Sequence, residues 1–322
     1  MTGTPRPQPQ PPLVEVVEVV EYTDPLCPWS WGSEPVFRRL REALADRVRW
    51  RRVYAILFDH DDDPAPDPAA ETAWYERYVA EVAAHTLAPR AVRLSRVAAS
   101  SWPSSLVAKA AELQGPDVAE RVLRRLRETV FVLGEPADTT ALALSAVRGV
   151  PDLDPERLAA DAASADVLAH VRADRAEARR PVPEVRSVRG GSPHPGAAKE
   201  TADGGYRYAL PTLLVRAPSG YRVVPGLRSF EEYATAVDAV GPGLLETAAP
   251  LSPAQALERH RSLTEPERPG PAEGAWPPPH AVRVDTGNGP LWLHPREAAV
   301  HPATRHPLPQ GPDPKAGDRS TE

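Results

Sequence analysis

The chain holds a single cysteine, Cys27, in the run D-P-L-C-P-W-S-W-G over residues 24–32. A thiol placed just ahead of a helix faces free N–H groups and the positive end of the helix dipole. Both favour the thiolate and lower a pKa that is ordinarily about 8.5, which makes the sulfur a nucleophile at neutral pH. Ser30, three residues on, can donate a hydrogen bond to such a thiolate but is too weakly acidic to replace a second thiol. The alternative reading of a lone cysteine is a small buried hydrophobe, and position alone does not choose between the two. One thiol cannot close an intramolecular disulfide, form a CxxC pair or build a cysteine-rich zinc site. Any disulfide formed here is therefore intermolecular.

Other candidates for chemistry are weaker. Asp59, Asp61, Asp62 and Asp63 lack the spacing and glycine of an EF-hand, so the run reads as a solvated acidic loop. Ser192-Pro193-His194-Pro195 is a polar turn ahead of a late strand, from which His194 is a candidate to approach Cys27. His294, His301 and His306 read as tail residues rather than zinc ligands, and no metal site is expected. The pairs Gly190-Gly191 and Gly204-Gly205 follow no strand in a phosphate-cradling pattern.

The elements that must position the thiol follow from periodicity and from the 40 prolines. Residues 1–12 read as a flexible Pro/Gln arm. Residues 13–22, a β-branched run interrupted only by glutamates, read as a strand buried on most faces. Phe37, Leu40 and Leu44 recur at helical spacing, and 48–58 reads as a second strand, which makes a βαβ order. After the acidic loop the signal is helical as far as Arg180. Val118, Val122, Leu126 and Val130 form one face there, with Arg121, Arg124, Arg125 and Arg127 on the others. Thr139 and Asp154 read as helix N-caps. Two short strands follow around the turn 217–220, and Ser229 caps a last helix. Fifteen of the prolines lie from Pro250 onward, so that stretch reads as a tail outside the core. Within it, residues 281–294 have the form of a hairpin turning at Asn288-Gly289.

A net charge of −6 offers no basic footprint for nucleic acid. No apolar run approaches the ~20 residues of a membrane span, and residues 1–12 lack a signal-peptide core. Neither a nucleic-acid nor a membrane partner is expected, and the expected setting is cytoplasmic. The oligomeric state is not legible.

Cys27-Pro28-Trp29-Ser30 resembles the active-site tetrapeptide of the DsbA-like thioredoxin-fold family, where CPWC recurs, with Ser30 in the second cysteine's place. Pro35 falls where such helices often carry a kinking proline. Leu210-Pro211-Thr212 resembles the family's cis-proline loop. The pattern is similar in particular to the actinobacterial cytosolic branch, and is related to 2-hydroxychromene-2-carboxylate isomerases and kappa-class glutathione transferases.

The resemblance implies an α/β, thioredoxin-like fold at 13–65 and 184–245. A helical domain at 66–183 lies between the second and third strands, and a Pro-rich, largely irregular tail occupies 246–322. It further implies a monothiol thiol–disulfide oxidoreductase in which Cys27 attacks and Ser30 supports the thiolate. Pro28, Trp29, Trp31, Leu210, Pro211 and Thr212 would contact substrate. An external small thiol, mycothiol or glutathione, would resolve the mixed disulfide, and protein disulfides are the other substrate class. Two alternatives stand beside it: a redox-inactive adapter that holds a peptide in the same groove, and a thiol-cofactor-dependent isomerase or transferase.

Overall fold

The computed structural model describes residues 17–59, 67–190, 192–245, 251–270 and 274–305. The arm at 1–12, the first residues of the expected first strand, Asp61 to Asp63 and His306 lie outside the described residues.

Strand β1 (Val17–Thr23) runs up the centre of the main sheet and is buried along its whole length. Helices α1 (Pro28–Gly32) and α2 (Glu34–Leu44) return the chain to β2 (Val48–Tyr54). Pro35 lies in the first turn of α2 rather than at a mid-helix kink. A first turn needs no N–H there. Six helices follow: α3 (Pro68–Thr86), α4 (Trp102–Glu112), α5 (Pro116–Phe131), α6 (Thr140–Ala146), α7 (Pro155–Ala162) and α8 (Ala165–Ala178). Thr139, Asp154 and Ser164 each accept hydrogen bonds from first-turn N–H groups of the helices they open. A short pair, β3 (Lys199–Glu200) and β4 (Tyr206–Arg207), precedes β5 (Thr212–Ala217) and β6 (Gly220–Pro225). Helix α9 (Phe230–Val240) starts at Ser229 with a full capping box.

The sheet order is β2-β1-β5-β6, with β1 parallel to β2 and antiparallel to β5. Val19, Phe37, Leu40, Leu213 and Val237 fill one face, and Val20, Tyr22, Val53 and Leu214 the other. Each such buried side chain stabilises the fold by roughly 1.5–3 kcal/mol.

The arginines of α5 do not form the solvated faces that periodicity suggests. Arg124, Arg125 and Arg127 are buried, at 3%, 1% and 0% exposure, and each meets a carboxylate. Arg127 pairs with Glu34 and donates to Thr23 Oγ1 at 2.7 Å. β1 contributes Glu21, fully buried, which accepts from Trp50 Nε1 at 3.0 Å and Arg52 Nε at 3.2 Å. A buried charge survives only when paired, and here each buried arginine of α5 and the buried Glu21 of β1 has a partner of opposite charge.

Residues 251–305 carry α10 (Pro253–His260), β7 (Ser262–Thr264), β8 (Val282–Thr286), β9 (Gly289–Leu293), α11 (Pro295–Ala298) and α12 (Pro302–Arg305). The hairpin turns at Gly287-Asn288, one residue earlier than the sequence suggests, and β7 adds to it in the order β7-β9-β8. Val284, Leu291 and Leu293 pack with Phe131 and Tyr75 of the helical block, so the hairpin docks instead of standing alone. At its tip, Asn288 Nδ2 donates to Ala83 O at 3.0 Å and Ala88 O at 2.9 Å, which ties down the end of α3. Asn288→Ala leaves both carbonyls without that donor, and the expected loss is about 1–3 kcal/mol in urea unfolding. An unchanged midpoint would show that water replaces the amide at no cost.

Candidate functional site

At the end of β1 the chain turns through Asp24, a residue the motif reading passed over. Its fully buried carboxylate accepts from Leu26 N and Leu57 N, each at 2.8 Å, and from Ser101 Oγ at 3.0 Å. Asp before Pro is a turn signal, and that was the clue available in D-P-L-C. The turn sets Cys27 as the N-cap residue of α1, with φ −90° and ψ 118° and Pro28 entering the helix behind it. Gly32 ends α1 against Thr86, where an added Cβ would lie 2.4 Å from the threonine methyl. Only glycine lets α1 seat this close to α3.

Facing the sulfur is the loop ahead of β5, whose Leu210–Pro211 peptide is cis. Cys27 Sγ donates to the Leu210 carbonyl at 3.7 Å. The same oxygen lies 2.8 Å from His194 Nε2. A carbonyl only accepts, so Nε2 carries the proton. The His194 ring stacks on Trp29 with centroids 4.8 Å apart, and the His85 ring lies nearly parallel to the same indole at 6.2 Å. Trp29 Nε1 donates to Tyr78 Oη at 2.7 Å, and Tyr78 stacks on Trp74, which is 57% exposed. The His194 turn is fastened in its own right: Leu227 N donates to His194 O at 3.0 Å, and Ser192 Oγ to Leu227 O at 2.9 Å. Gly226, at φ +78°, passes so near that a Cβ would meet His194 O.

The electrostatics reverse one expectation. Cys27 is only 3% exposed, and burial pushes its thiol up from the ordinary value. Ser30 and the N–H groups at the start of α1 favour the thiolate, while the Asp24 carboxylate adds to the upward push. Desolvation outweighs the helix end because the sulfur has no water around it. Ser30 Oγ is itself fully buried and has no hydrogen-bond partner while Cys27 is a thiol. Burial also raises Asp24 to about 6 and lowers His194 to about 4, so His194 is neutral at physiological pH.

The structure thus gathers Cys27, Pro28, Trp29, Ser30, Leu210 and Pro211 with His194, which the sequence offered as a candidate, and adds Asp24, Tyr78 and His85. It turns Trp31 away. That indole donates to Pro89 O at 2.8 Å, lies under Arg124 at 4.4 Å and faces Phe131 in the helical block. Thr212 is fully buried within β5, its hydroxyl donating to Ala209 O at 2.7 Å. His301, read as a tail residue, is fully buried against Glu128 at 3.0 Å, and His294 pairs with Glu258 at 2.8 Å. Asp59 is held by Arg175 at 2.6 Å and Arg179 at 2.8 Å. Among the described residues no cluster of three or more His, Cys, Asp or Glu is arranged to hold a metal, and no helix is long and apolar enough to cross a membrane. A cleft of about 640 Å³ opens where α1 meets α2, lined by Gly32, Pro35, His85, Ser192, Pro193 and Arg228.

Comparison with known proteins agrees with this geometry. A family model described as Thioredoxin matches residues 21–180. The ClpXP adapter protein SpxH of Shouchella clausii is 32% identical over 124 residues, 38% of this chain and 40% of its own length. The match therefore spans well under half of that relative. A candidate protein disulfide isomerase from Nitrosomonas europaea superposes with a TM-score of 0.54 at 14% identity, over 70% of this chain and 97% of its own. The cytosolic disulfide reductase DsbM of Pseudomonas aeruginosa matches with a TM-score of 0.46 at 16% identity, over 69% and 94%. With a four-stranded sheet of this order, helices inserted between β2 and β5, and Cys27 at the start of α1, the chain has a thioredoxin-like fold with a helical insertion.

Proposed function

We propose that the protein is a monothiol thiol–disulfide oxidoreductase, acting in the cytoplasm with a low-molecular-weight thiol such as mycothiol or glutathione as co-substrate. The observation that carries this reading is the position of Cys27 Sγ, at the N-cap of α1 and 3.7 Å from the Leu210 carbonyl beside a cis peptide. Cys27 first loses its proton to solvent. The thiolate then attacks one sulfur of a disulfide: a Cys27–sulfur bond forms, the substrate S–S bond breaks, and the departing thiolate takes the electron pair and later a proton. A second, external thiolate attacks the mixed disulfide, forms a new disulfide and restores the Cys27 thiolate. Ser30 cannot perform this second step, but its unpartnered hydroxyl is a ready donor to the thiolate.

Burial gives the pH dependence a definite sign. The thiol is raised, so the thiolate fraction at neutral pH is below that of a free cysteine. The rate of Cys27 alkylation by iodoacetamide is therefore expected to keep rising past about pH 8.5, the ordinary midpoint. A plateau below pH 8 would mean that the sulfur is solvated when it reacts. Under the same reading, glutathione-dependent reduction of a small disulfide by the full-length protein rises over the same pH range. No turnover with either thiol at any pH would refute the enzyme.

The second reading is an adapter that does not use the thiol. It is favoured by the same burial and by the similarity to SpxH, whose name assigns that protein a ClpXP adapter role. Partner capture that survives Cys27→Ser would select it.

A further inference from the structure

The carbonyls beside the thiol already carry donors. The Ala209 carbonyl accepts from Thr212 Oγ1 at 2.7 Å, and the Pro211 carbonyl from Gly226 N at 2.8 Å. Pro211 has no N–H. The Leu210 carbonyl takes both Cys27 Sγ–H and His194 Nε2–H. An extended polypeptide that binds by adding its backbone to this loop needs a free acceptor there. The donors on Ala209 and Pro211 come from Thr212 of β5 and from Gly226, the residue after β6. The donor on Leu210 that is not the reacting thiol comes from a side chain on a separate turn. The same imidazole stacks on Trp29, and the His85 ring lies nearly parallel to the indole at 6.2 Å, so two imidazoles already neighbour it.

We propose that His194 is a specificity-determining residue: by holding the Leu210 carbonyl and covering Trp29 it denies extended polypeptides the backbone pairing, leaving Cys27 to small disulfides. The inference rests on Cys27 being the reactive thiol, and it narrows the substrate class of that same site. A small disulfide needs only the sulfur. A peptide disulfide must also displace His194, whose Nε2–H is then left without the acceptor it holds, a loss comparable to a broken hydrogen bond.

The test uses the full chain and two activated disulfides that release the same chromophore. One is 2,2′-dithiodipyridine; the other is the mixed disulfide of pyridine-2-thiol with the cysteine of an extended octapeptide. In each case the Cys27 thiolate forms a bond to one sulfur and expels pyridine-2-thiolate with the electron pair, which is read as the thione. The wild-type protein is expected to prefer the small probe, relative to free cysteine, by at least about tenfold, the factor that goes with one lost hydrogen bond. His194→Ala should bring that ratio back to the free-cysteine value. His194→Gln, which keeps a donor for Leu210 O, should retain most of the preference. An unchanged ratio in His194→Ala, or a wild-type ratio equal to that of free cysteine, overturns the inference alone. A wild-type protein whose Cys27 reacts with neither probe overturns the thiol chemistry and this inference together. Should His194→Ala unfold, it would react with both probes as free cysteine does, and loss of preference in a folded His194→Gln then decides against the proposal.

Discussion

Cys27→Ser is expected to remove thiol–disulfide turnover altogether, with the rate falling by at least about 10³-fold, as for other lost nucleophiles. The substitution changes little else. Serine keeps a donor for the Leu210 carbonyl, fits the same buried N-cap position, and leaves Asp24, Pro28 and the cis Leu210–Pro211 peptide in place. What disappears is a nucleophile that can form and break a bond to sulfur, because a hydroxyl is scarcely ionised at neutral pH. The measurement is reduction of a small disulfide by external thiol, with intact mass to show whether an adduct forms. Turnover or an adduct in Cys27→Ser would end the covalent reading, since no other cysteine exists to carry it. Ser30→Ala separates a further alternative: damage equal to that of Cys27→Ser would point to a bound thiol cofactor used as in isomerases and transferases.

Glu128→Ala is expected to cost about 3–5 kcal/mol of stability, the range for one member of a buried ionic network removed alone. Glu128 lies on α5 and accepts from Arg124 Nε at 2.8 Å, Ser262 Oγ at 2.5 Å and His301 Nε2 at 3.0 Å. Burial pushes its carboxyl up, but His301, Arg124 and Ser262 together outweigh burial and hold it well below the usual range. Glu267 beside it is likewise held at about 2 by Arg38 and Arg124 against burial. Removing the Glu128 carboxylate leaves Arg124, 3% exposed, with Glu267 at 3.4 Å as its remaining carboxylate partner. It also leaves the fully buried His301 ring N–H unpaired. Equilibrium urea unfolding measures the loss, and a value below about 1 kcal/mol would mean that water enters and compensates. The sign of the pH effect follows from depressed folded pKa values. The stabilisation is complete above the ordinary glutamate value of about 4.3 and is lost as the pH falls toward 2. In Glu128→Ala that acid-sensitive part should shrink. Amide exchange should quicken first in β7 to β9, because Ser262 and His301 fasten that segment to α5.

Much of the fold was legible because it depends on local rules. The apolar run of β1, the helical spacing of Phe37, Leu40 and Leu44, and the capping oxygens of Thr139, Asp154 and Ser229 each act within a few residues of themselves. Cys27-Pro28-Trp29-Ser30 was equally readable, since a short motif is contiguous. The C-terminal segment was harder. Its prolines argue for irregular chain, yet many of them fall at helix starts and turns, as Pro253, Pro295 and Pro302 do. Nothing local says that Leu291 and Leu293 find their partners in Phe131 and Tyr75.

The arginines of α5 show the same divide. Periodicity sorts apolar from charged residues, but it cannot see that Glu34 and Glu297 lie across from Arg127 and Arg125. At the site, the sequence by itself determined that there is one cysteine and that any disulfide it forms is intermolecular. Whether that sulfur rests as thiol or thiolate was decided only by tertiary structure. Helix position is a local property and argues for the thiolate; desolvation depends on everything packed around Cys27, from Asp24 behind it to His194 and Leu210 across the cleft. The removal of water by residues distant in the chain is the larger effect, and it holds the thiol protonated.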